Sequence, residues 1–560
     1  MSGEMFVWDQ LKNRIARSDR QVDWFWALGF LLAAILLFSI NLGHLPLRDW
    51  DEGIVGQVAR EMTRSRLNWL YPQMVGNVPY FNKPPLVHWL IAFSYTMGGV
   101  NEWTTRLIPA MLTAFSVPLL YGVSRELFAQ RIGAIFSTCV YLTLLPVVRH
   151  GRLAMLDGAV VCFFLLLLWC LLRSRRDLRY ALGAGIALGL LSLTKGIFLG
   201  FLLGAIALLF ILWDTPRLLT SIYLWLGIGL GIIPVCLWYF AQWKHYGLLF
   251  IDTNLKQESW RRIWEQVGGH QEGVWYYFLE ILKYPWPWQF FGLQGLWLAW
   301  ENRNFAWGKL VLLWTSIYLV AISLMSTKLP WYVLPIYPGF ALAVGAYLAQ
   351  VWCCSEQDSA LDVEAEKAII PFSATTTFPR YLWWFLAVIA IVGWVGVIYF
   401  SGIIQTPQLM SPKEPDLQLL LGAVAMTMTI AAVLLHRRDR QFIIILFWGC
   451  YVSLLVFMTS DNWIWELAEN YPVKPVAEIV KSSTPPHQEV LTSHRGTRPS
   501  LDFYSDRRVI NVSPEEMKKH WVNDTSPYFL LDHPTLENSN FPNAKILKTT
   551  GGWNVVTKNR

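Results

Sequence analysis

Long apolar runs separated by short polar segments dominate the sequence from about residue 24 to about residue 459. Many of these runs approach the roughly 20 residues that an α-helix needs to cross a bilayer. They are continuous, whereas the strands of a transmembrane barrel alternate between apolar and polar residues. The pattern therefore predicts an all-α polytopic membrane protein with about 13 transmembrane helices.

Clusters of Arg and Lys predict the orientation of these helices, because cytoplasmic loops carry an excess of both residues. The basic N-terminal segment places residue 1 in the cytoplasm, and the clusters at 125–131, 173–179 and 437–440 mark the same side. The first run has no convincing small-residue cleavage site, which indicates an uncleaved helix. The run Pro85–Met97, with about thirteen residues, is too short to cross and is predicted to lie at the interface.

The apolar runs stop near Asp461, and the composition from 461 to 560 predicts a second, smaller domain after the transmembrane part at 1–460. Its length is enough for a core of its own. The local patterns predict strands at 489–492, 508–512, 528–531 and 553–557, and helices at 475–481 and 514–521. An odd number of membrane crossings puts this α/β domain outside the cytoplasm. It carries no recognisable catalytic pattern.

Composition narrows the class further. Of 560 residues, 54% are hydrophobic and 31 are Trp, which excludes an ordinary soluble protein. The net charge of +7 comes without a basic tail or an aromatic and basic stripe, so no nucleic acid partner is expected. The seven Cys lie mostly inside apolar runs and show neither metal-site spacing nor a disulfide framework.

Two polar stretches follow the first apolar run: Arg48–Gly53, which contains Asp51 and Glu52, and Tyr80–Pro85, which contains Lys83. Charged side chains beside a membrane cost free energy unless they face water or a partner. The stretches are therefore either solvated loops that anchor the first helix or an active site at the membrane surface. In the second case Asp51 or Glu52 acts on an acceptor, and Lys83 holds an anionic group. Between them, 54–66 has the apolar spacing of an amphipathic helix.

These stretches, followed by Leu156-Asp157-Gly158, resemble bacterial GT-C fold glycosyltransferases of the protein O-mannosyltransferase and aminoarabinose transferase group. The resemblance covers about residues 20 to 460. It implies a donor in which a sugar is linked to a polyprenyl phosphate. It also implies roles for particular residues: Asp51 as the first-loop acid, Asp157 as the second-loop acid, Lys83 and Tyr80 beside the phosphate and sugar, and Lys328 and Tyr332 in a turn near the lipid phosphate.

The chemistry of such a donor agrees with the charged residues that the predicted topology gathers on the outer side. Phosphate oxygens need Lys or Arg, and an acceptor hydroxyl needs a carboxylate as general base. The outer set comprises Asp51, Glu52, Lys83, Arg149, Arg152, Asp157, Lys195, Arg261, Arg262, His270 and Lys328. The catalytic candidates are Asp51, Asp157 and Glu52, and the candidates for binding the donor phosphate or lipid are Lys83, Tyr80, Arg149, Lys328, Tyr332 and Arg262. For Asp157, an ion pair with Arg149 or Arg152 is the structural alternative.

Metal binding is the point at which the sequence departs from its relatives. Aminoarabinose transferases carry a Glu directly before the lysine, and that Glu with a loop His can hold a metal. Here the position is Asn82, and an amide is a poor zinc ligand. His270 is a weak candidate, so no tightly bound structural metal is expected. A divalent cation held by Asp51 or Asp157 together with the donor phosphate stays open.

The leading hypothesis is an integral glycosyltransferase of the bacterial inner membrane, a hexosyl- or pentosyltransferase. It would use an undecaprenyl-phosphate sugar on the periplasmic side, with lipid A or another envelope glycolipid as acceptor. One alternative is transfer to a protein hydroxyl. An alternative of another class is a flippase or exporter of lipid-linked sugars, which would need ionisable residues along a path through the membrane. A non-catalytic scaffold would leave Asp51, Lys83 and Asp157 unexplained.

Overall fold

The structure is a computed structural model of the 560-residue chain. It describes residues 2–49, 51–265, 272–357, 379, 382–403, 405–406, 409–410, 412–464, 471–493, 498–539 and 541–559. A helical body extends to Trp463, and a part built around a β-sheet follows from Val473. The predicted all-α membrane architecture is confirmed for the first part.

The helices of the first half follow the apolar runs closely. In chain order they are α1 (Ser2–Ser39), α2 (Asp51–Arg64), α3 (Leu67–Leu70), α4 (Leu86–Gly98), α5 (Glu102–Leu127), α6 (Arg131–Leu142), α7 (Leu145–Arg152), α8 (Asp157–Arg173), α9 (Tyr180–Lys195), α10 (Ile197–Asp214) and α11 (Ile222–Tyr246). A short hairpin of β1 (Gln73–Met74) and β2 (Val78–Pro79) stands between α3 and α4.

The second half of the body continues the pattern. Its helices are α12 (Leu248–Phe250), the π-helical segment Ile251–Arg261, α13 (Arg262–Trp264), α14 (Tyr276–Lys283), α15 (Gln289–Glu301), α16 (Ala306–Leu324), α17 (Tyr337–Gln357), α18 (Trp383–Tyr399), α19 (Pro415–His436) and α20 (Phe442–Thr459). A second short hairpin, β3 (Gln405–Thr406) with β4 (Leu409–Met410), precedes α19.

Within the described residues, eight helices are long and apolar enough to cross a bilayer, and the bent pair α6 and α7 raises the number to nine. The helices α8, α9, α15 and α18 have 13 to 17 residues, fewer than a straight crossing needs. The expected number of about thirteen spans therefore stays a prediction. Helix α4 has 13 residues and is also not among the eight, and the expectation that this segment does not cross stays a prediction.

Helix α2 differs from its prediction at its start. It begins at Asp51 and ends at Arg64, so the two carboxylates of the polar stretch occupy its first turn. Acidic side chains are favourable there, because the free N–H groups at the start of a helix carry partial positive charge. Asp51 is therefore held by regular helix geometry.

The predicted cytoplasmic arginines meet at one end of the bundle. Asp23 of α1 accepts hydrogen bonds from Arg125 at 3.0 Å and from Arg131 at 2.8 Å. Arg173, at the end of α8, pairs with Glu126 at the end of α5 at 2.6 Å. Because α8 runs from Asp157 to Arg173, Asp157 lies at the opposite end, as the predicted separation of charges requires.

Helices α9 and α11 pack almost backbone to backbone through glycines spaced four residues apart. A Cβ added at Gly231 would overlap the carbonyl oxygen of Gly185, and one added at Gly189 would overlap Gly231 itself. Small residues at this spacing let membrane helices approach closely. This contact fixes the position of α9 along the bundle axis. It therefore also fixes the position of Lys195, the last residue of α9.

The C-terminal part forms a five-stranded sheet of β5 (Val490–Thr492), β6 (Val509–Asn511), β7 (Tyr528–Asp532), β8 (Ala544–Thr550) and β9 (Trp553–Lys558), in the order β6-β5-β7-β9-β8. Its helices are α21 (Val473–Ser483), α22 (Pro499–Ser505), α23 (Pro514–Asn523) and α24 (His533–Ser539). The sheet pairs β5 in parallel with β6 and β7, and β9 antiparallel with β7 and β8. All four predicted strands and both predicted helices are present.

We expect Gly231→Val to destabilise the α9–α11 contact, because the added side chain overlaps backbone that cannot move aside. The loss should be about 1–3 kcal/mol, the usual cost of overpacking. Thermal unfolding in detergent measures it. Gly229→Val on the same helix is the matched control, since nothing lies within 4 Å of that position. Equal unfolding temperatures for the two variants would contradict this packing.

Candidate active site

A carboxylate and a lysine meet at the end of the bundle opposite the arginine clusters. Asp157 is the first residue of α8, and Lys195 is the last residue of α9. Because α8 and α9 are neighbours that run in opposite directions, their ends come together, and Lys195 Nζ lies 2.5 Å from Asp157 Oδ1. In the described structure Asp157 pairs with Lys195, so the predicted alternative of an ion pair with Arg149 or Arg152 is not seen.

Asp51 shares this environment. Burial raises the pKa of the Asp51 carboxyl, the charge of Asp157 raises it further, and Lys195, Arg48 and Lys83 oppose the shift. The two predicted acids are therefore within electrostatic reach of one another. A carboxylate whose pKa is raised in this way is a better proton acceptor, as a general base must be.

A second charged group lies beside the first. Arg262 Nη2 lies 2.8 Å from Glu258 Oε2, one helical turn earlier, and Lys83 Nζ lies 3.7 Å from the same oxygen. Burial lowers the pKa of Lys83 to about 8; Glu258 opposes the shift, and the positive charges of Arg262 and Lys195 add to it. Two cations therefore converge on one carboxylate in a largely buried position.

Tyr332 joins the two groups. Its hydroxyl accepts a hydrogen bond from Arg262 Nη1 at 3.4 Å, and Lys195 Nζ lies over its ring at 5.0 Å from the centroid. It follows α16 in the turn that the sequence singled out. The arrangement thus runs continuously from Lys83 and Glu258 through Arg262 and Tyr332 to Lys195 and the acids.

Tyr80 forms part of the wall of this site. It is buried and makes an edge-to-face contact with His88, with 5.4 Å between ring centroids. Burial raises the pKa of its hydroxyl, and the negative charges of Glu258 and Asp51 add to the shift. The phenol therefore stays protonated and can donate a hydrogen bond into the site.

Glu52 does not take part in the site, contrary to its selection as a catalytic candidate. It is fully buried and forms a two-point ion pair with Arg106, with distances of 2.8 and 2.7 Å. Its oxygens also accept the backbone N–H groups of Arg48 at 2.9 Å and Ala154 at 2.7 Å. Burial acts to raise its pKa, but Arg106 holds the pKa of Glu52 below the ordinary value. Glu52 is an anchor of the fold.

Arg149, selected as a phosphate ligand, is also bound to the protein itself. Its Nε donates to the carbonyl oxygen of Trp463 at 3.1 Å, inside the protein. The neighbouring Arg152 donates to the carbonyls of Leu37 at 2.8 Å and Ile40 at 2.5 Å, which end α1, and lies over the Trp463 ring. Both arginines thus contact Trp463, which follows α20, and Arg152 also contacts the end of α1.

Lys328 is corrected in the same way. Its ammonium donates to the carbonyl oxygens of Ser323 and Met325, both at 2.5 Å, and of Ile322 at 3.2 Å. All three N–H groups are thus used at the end of α16, where a cation stabilises the free carbonyls of a helix. Lys328 supports the turn that carries Tyr332, and makes no direct contact with Lys83 or Arg262.

Two members of the site were missed in the sequence. Glu258 was not considered, although it precedes Arg262 by four residues, the spacing of a helical ion pair. Tyr277 accepts the backbone N–H of Leu329 at 3.0 Å and so fixes the Tyr332 turn from the other side. Lys195 belongs to the predicted outer set of charged residues but not to the selected site residues. The spacing of Glu258 and Arg262 was the available signal.

In the described part of the chain, no three His, Cys, Asp or Glu side chains are grouped to hold a metal ion. The candidate His270 lies outside the described residues, and Arg261 pairs with Glu265, both with exposed side chains. Asp51 and Asp157 are two oxygen ligands of the type that Mg²⁺ prefers beside a phosphate. A divalent cation there remains a proposal.

Known proteins of similar sequence include glycosyl transferases. Residues 82–240 match the family model described as dolichyl-phosphate-mannose-protein mannosyltransferase. An undecaprenyl phosphate-aminoarabinose arabinosyl transferase of Pseudomonas fluorescens is 30% identical over 337 residues, which are 57% of this chain and 59% of the relative. One from Erwinia tasmaniensis is 27% identical, over 57% of this chain and 58% of the relative. The chain thus spans about three fifths of the length of these curated relatives.

A solved structure extends the likeness to nearly the whole chain. The crystal structure of ArnT from Cupriavidus metallidurans bound to undecaprenyl phosphate superposes with a TM-score of 0.74 at 18% identity, covering 95% of this chain and 98% of that one. At this identity the match establishes the fold. Together with the motifs, it confirms the resemblance seen in the sequence. The chain therefore has the GT-C fold of this structure, and over part of its length its sequence is similar to the protein mannosyltransferase and aminoarabinose transferase group.

Proposed function

We propose that this protein is a glycosyltransferase that moves a sugar from a polyprenyl-phosphate donor to an acceptor of the bacterial envelope. Lipid A or another envelope glycolipid is the leading acceptor, on the periplasmic side of the inner membrane. The observation that carries the proposal is the convergence of Lys83 and Arg262 beside Asp51 and Asp157 at one end of a membrane bundle. The names of the relatives support the same donor class.

The two cations suit a phosphate leaving group. When the sugar leaves, the bond between its C1 and the phosphate oxygen breaks, and the phosphate gains a negative charge. Lys83 and Arg262, fixed in a largely buried site, stabilise that charge where it develops. Both now contact Glu258, so an incoming phosphate competes with that carboxylate for the same cations.

The acids suit the acceptor. A new bond forms between C1 of the sugar and the acceptor oxygen, and a hydroxyl acceptor must also lose its proton. Asp51, with its raised pKa, takes that proton, whereas Asp157 is held by Lys195 and orients the reacting groups. A phosphate acceptor is already anionic and needs no base.

Two other functions remain as alternatives. The match to a protein mannosyltransferase model favours a protein hydroxyl as the acceptor. A flippase or exporter would need ionisable residues along a path through the spans. The charged residues described above instead lie at the two ends of the bundle, which favours an enzyme.

Transfer by the purified protein tests the proposal. The protein in detergent is supplied with a radiolabelled undecaprenyl-phosphate sugar and, in separate reactions, with lipid A and with envelope protein. Appearance of label in lipid A, with release of undecaprenyl phosphate, is the expected result. Label in protein supports the first alternative, and no label in any acceptor contradicts the proposal.

Donor binding should depend on pH through Lys83. A lysine is charged below its pKa, so an ammonium with a pKa of about 8 is positive at pH 7 and neutral at pH 9.5. Loss of one charge-assisted contact costs about 1.5–3 kcal/mol. We therefore expect the affinity for undecaprenyl phosphate to fall by about tenfold or more between these pH values, measured by calorimetry.

Two variants test whether Lys83 causes the pH dependence. Lys83→Arg should flatten the pH dependence, because a guanidinium stays protonated across this range. Lys83→Ala should bind weakly at both pH values. An unchanged pH dependence in Lys83→Ala would assign it to another group and contradict the role of Lys83.

The mechanism predicts a separation of binding from chemistry in Asp51→Asn. The amide keeps the shape of the carboxylate and cannot accept the proton. With a hydroxyl acceptor, the single-turnover rate should fall by about 10²–10⁴-fold while donor affinity is retained. Asp506→Asn, in the C-terminal part, is the control and should turn over normally. Normal turnover in Asp51→Asn would remove it from the chemistry, and loss of affinity with rate would make it an orienting group.

A further inference from the structure

The C-terminal part is joined directly to the segment that carries Asp51. Arg498 Nε lies 2.5 Å from Asp49 Oδ2, and the Ser500 N–H lies 3.2 Å from Asp49 Oδ1. The Ser500 hydroxyl donates to the same oxygen. The side chains of Asp49 and Arg498 are only 10% and 8% exposed. A buried pair of this kind is costly to break from one side, because it leaves an unpaired buried charge.

Close packing beside the ion pair also holds the C-terminal part against α2. A Cβ added at Gly53, in the first turn of α2, would lie 2.6 Å from the backbone nitrogen of Ser500 and 2.8 Å from the carbonyl carbon of Pro499. The absence of a side chain at Gly53 is therefore what lets α22 lie against α2. Tyr504, also on α22, accepts the N–H of Leu47 at 2.8 Å.

The inner side of the same segment is held by the Glu52 anchor. Arg106 and the N–H of Arg48 bind its carboxylate, as described above. The described residues 47–49 and 51–53 are thus held by the membrane body on one side and by the C-terminal part on the other. Asp51 lies between the two sets of contacts.

We infer that Asp49, Arg498 and Ser500 are positioning residues, through which the C-terminal part holds Asp51 in place for transfer. The inference rests on the proposed function for its catalytic meaning. It gives a role to a domain that carries no catalytic pattern of its own. Displacing a catalytic group by about 1 Å costs on the order of 10²-fold in rate. Lys83 and Arg262 lie on other segments, so donor binding does not depend on this contact.

The variant Arg498→Ala tests the inference. We expect kcat to fall by about 10–100-fold with donor affinity retained, and Arg498→Lys to recover part of the loss because it keeps the charge. Ser500→Ala removes a hydroxyl and not a buried charge, so it should fold where Arg498→Ala fails, with a smaller fall in kcat. Arg64→Ala is the matched control: it breaks a 2.6 Å ion pair with Asp506 between the same two parts, where Arg64 is 39% exposed.

The pH profile separates positioning from general stability. In the native protein, burial raises the pKa of Asp51, which sets the acid limb of turnover. When the segment loosens and Asp51 gains water, that limb should move to lower pH in Arg498→Ala and Ser500→Ala, and stay in place in Arg64→Ala.

Hydrogen exchange provides a readout that is independent of catalysis. Backbone amides of residues 47–54 should exchange faster in Arg498→Ala than in the native protein, and at the native rate in Arg64→Ala. If Arg498→Ala and Ser500→Ala match Arg64→Ala in exchange, kcat and pH profile, the inference is overturned. If the native protein transfers no sugar, the proposed function fails, and the exchange of residues 47–54 alone decides whether the contact holds the segment.

Discussion

The buried ion pair of Glu52 and Arg106 holds together the parts of this protein on which the site depends. Arg106 also donates to the carbonyls of Leu42 at 3.0 Å and Leu45 at 2.7 Å, and Glu52 accepts the N–H of Ala154. The pair therefore joins α2 and α5 to the end of α1 and to the turn before α8. A buried ion pair adds little net stability compared with apolar side chains in its place, but it requires one particular geometry. Here that geometry keeps Asp51 within electrostatic reach of Asp157.

The charges of the site nearly cancel before any substrate arrives. Lys83, Arg262 and Lys195 face Glu258, Asp157 and Asp51. Burying several charges is tolerable because each has an opposite partner nearby. An incoming phosphate adds negative charge, so either Glu258 gives up its cations or an acid takes up a proton. Displacement of Glu258 leaves Asp51 ionised, as its proposed role as the base requires.

Helices and strands with a strong hydrophobic pattern were predicted well from the sequence, whereas the ion-pair and hydrogen-bond partners of the site residues were not. Apolar runs and β-rich segments predicted helices and four strands near their observed positions, whereas β8 was not predicted because its side chains are mostly exposed and polar. The motifs selected Asp51, Lys83 and Tyr332, and the predicted topology added Arg262; in the structure these residues belong to one arrangement. Which cation faces which carboxylate depends on contacts between distant segments, and sequence spacing does not record these.

Three of the candidates selected from the sequence are bound to groups of the protein itself, and for one physical reason. Glu52, Arg149 and Lys328 are all charged and lie at the predicted end of the bundle, as the functional candidates do. Each, however, is committed to groups of the protein itself, mostly backbone N–H and carbonyl groups that helix ends leave free. In a membrane protein such groups have no water in the apolar layer to satisfy them, so charged side chains are recruited for the purpose.

The same reasoning explains why the site spreads beyond the matched family segment. Residues 82–240 contain Lys83, Asp157 and Lys195, while Asp51 comes earlier and Arg262 later. A site built at the open end of a helical bundle takes its side chains from several helix ends and connecting segments, because these are the parts of the chain that reach the end. A change in a single connecting segment can then alter the chemistry of the site while the bundle stays the same. The C-terminal part, packed on the Asp51 segment, is in contact with the one connection that carries the proposed base.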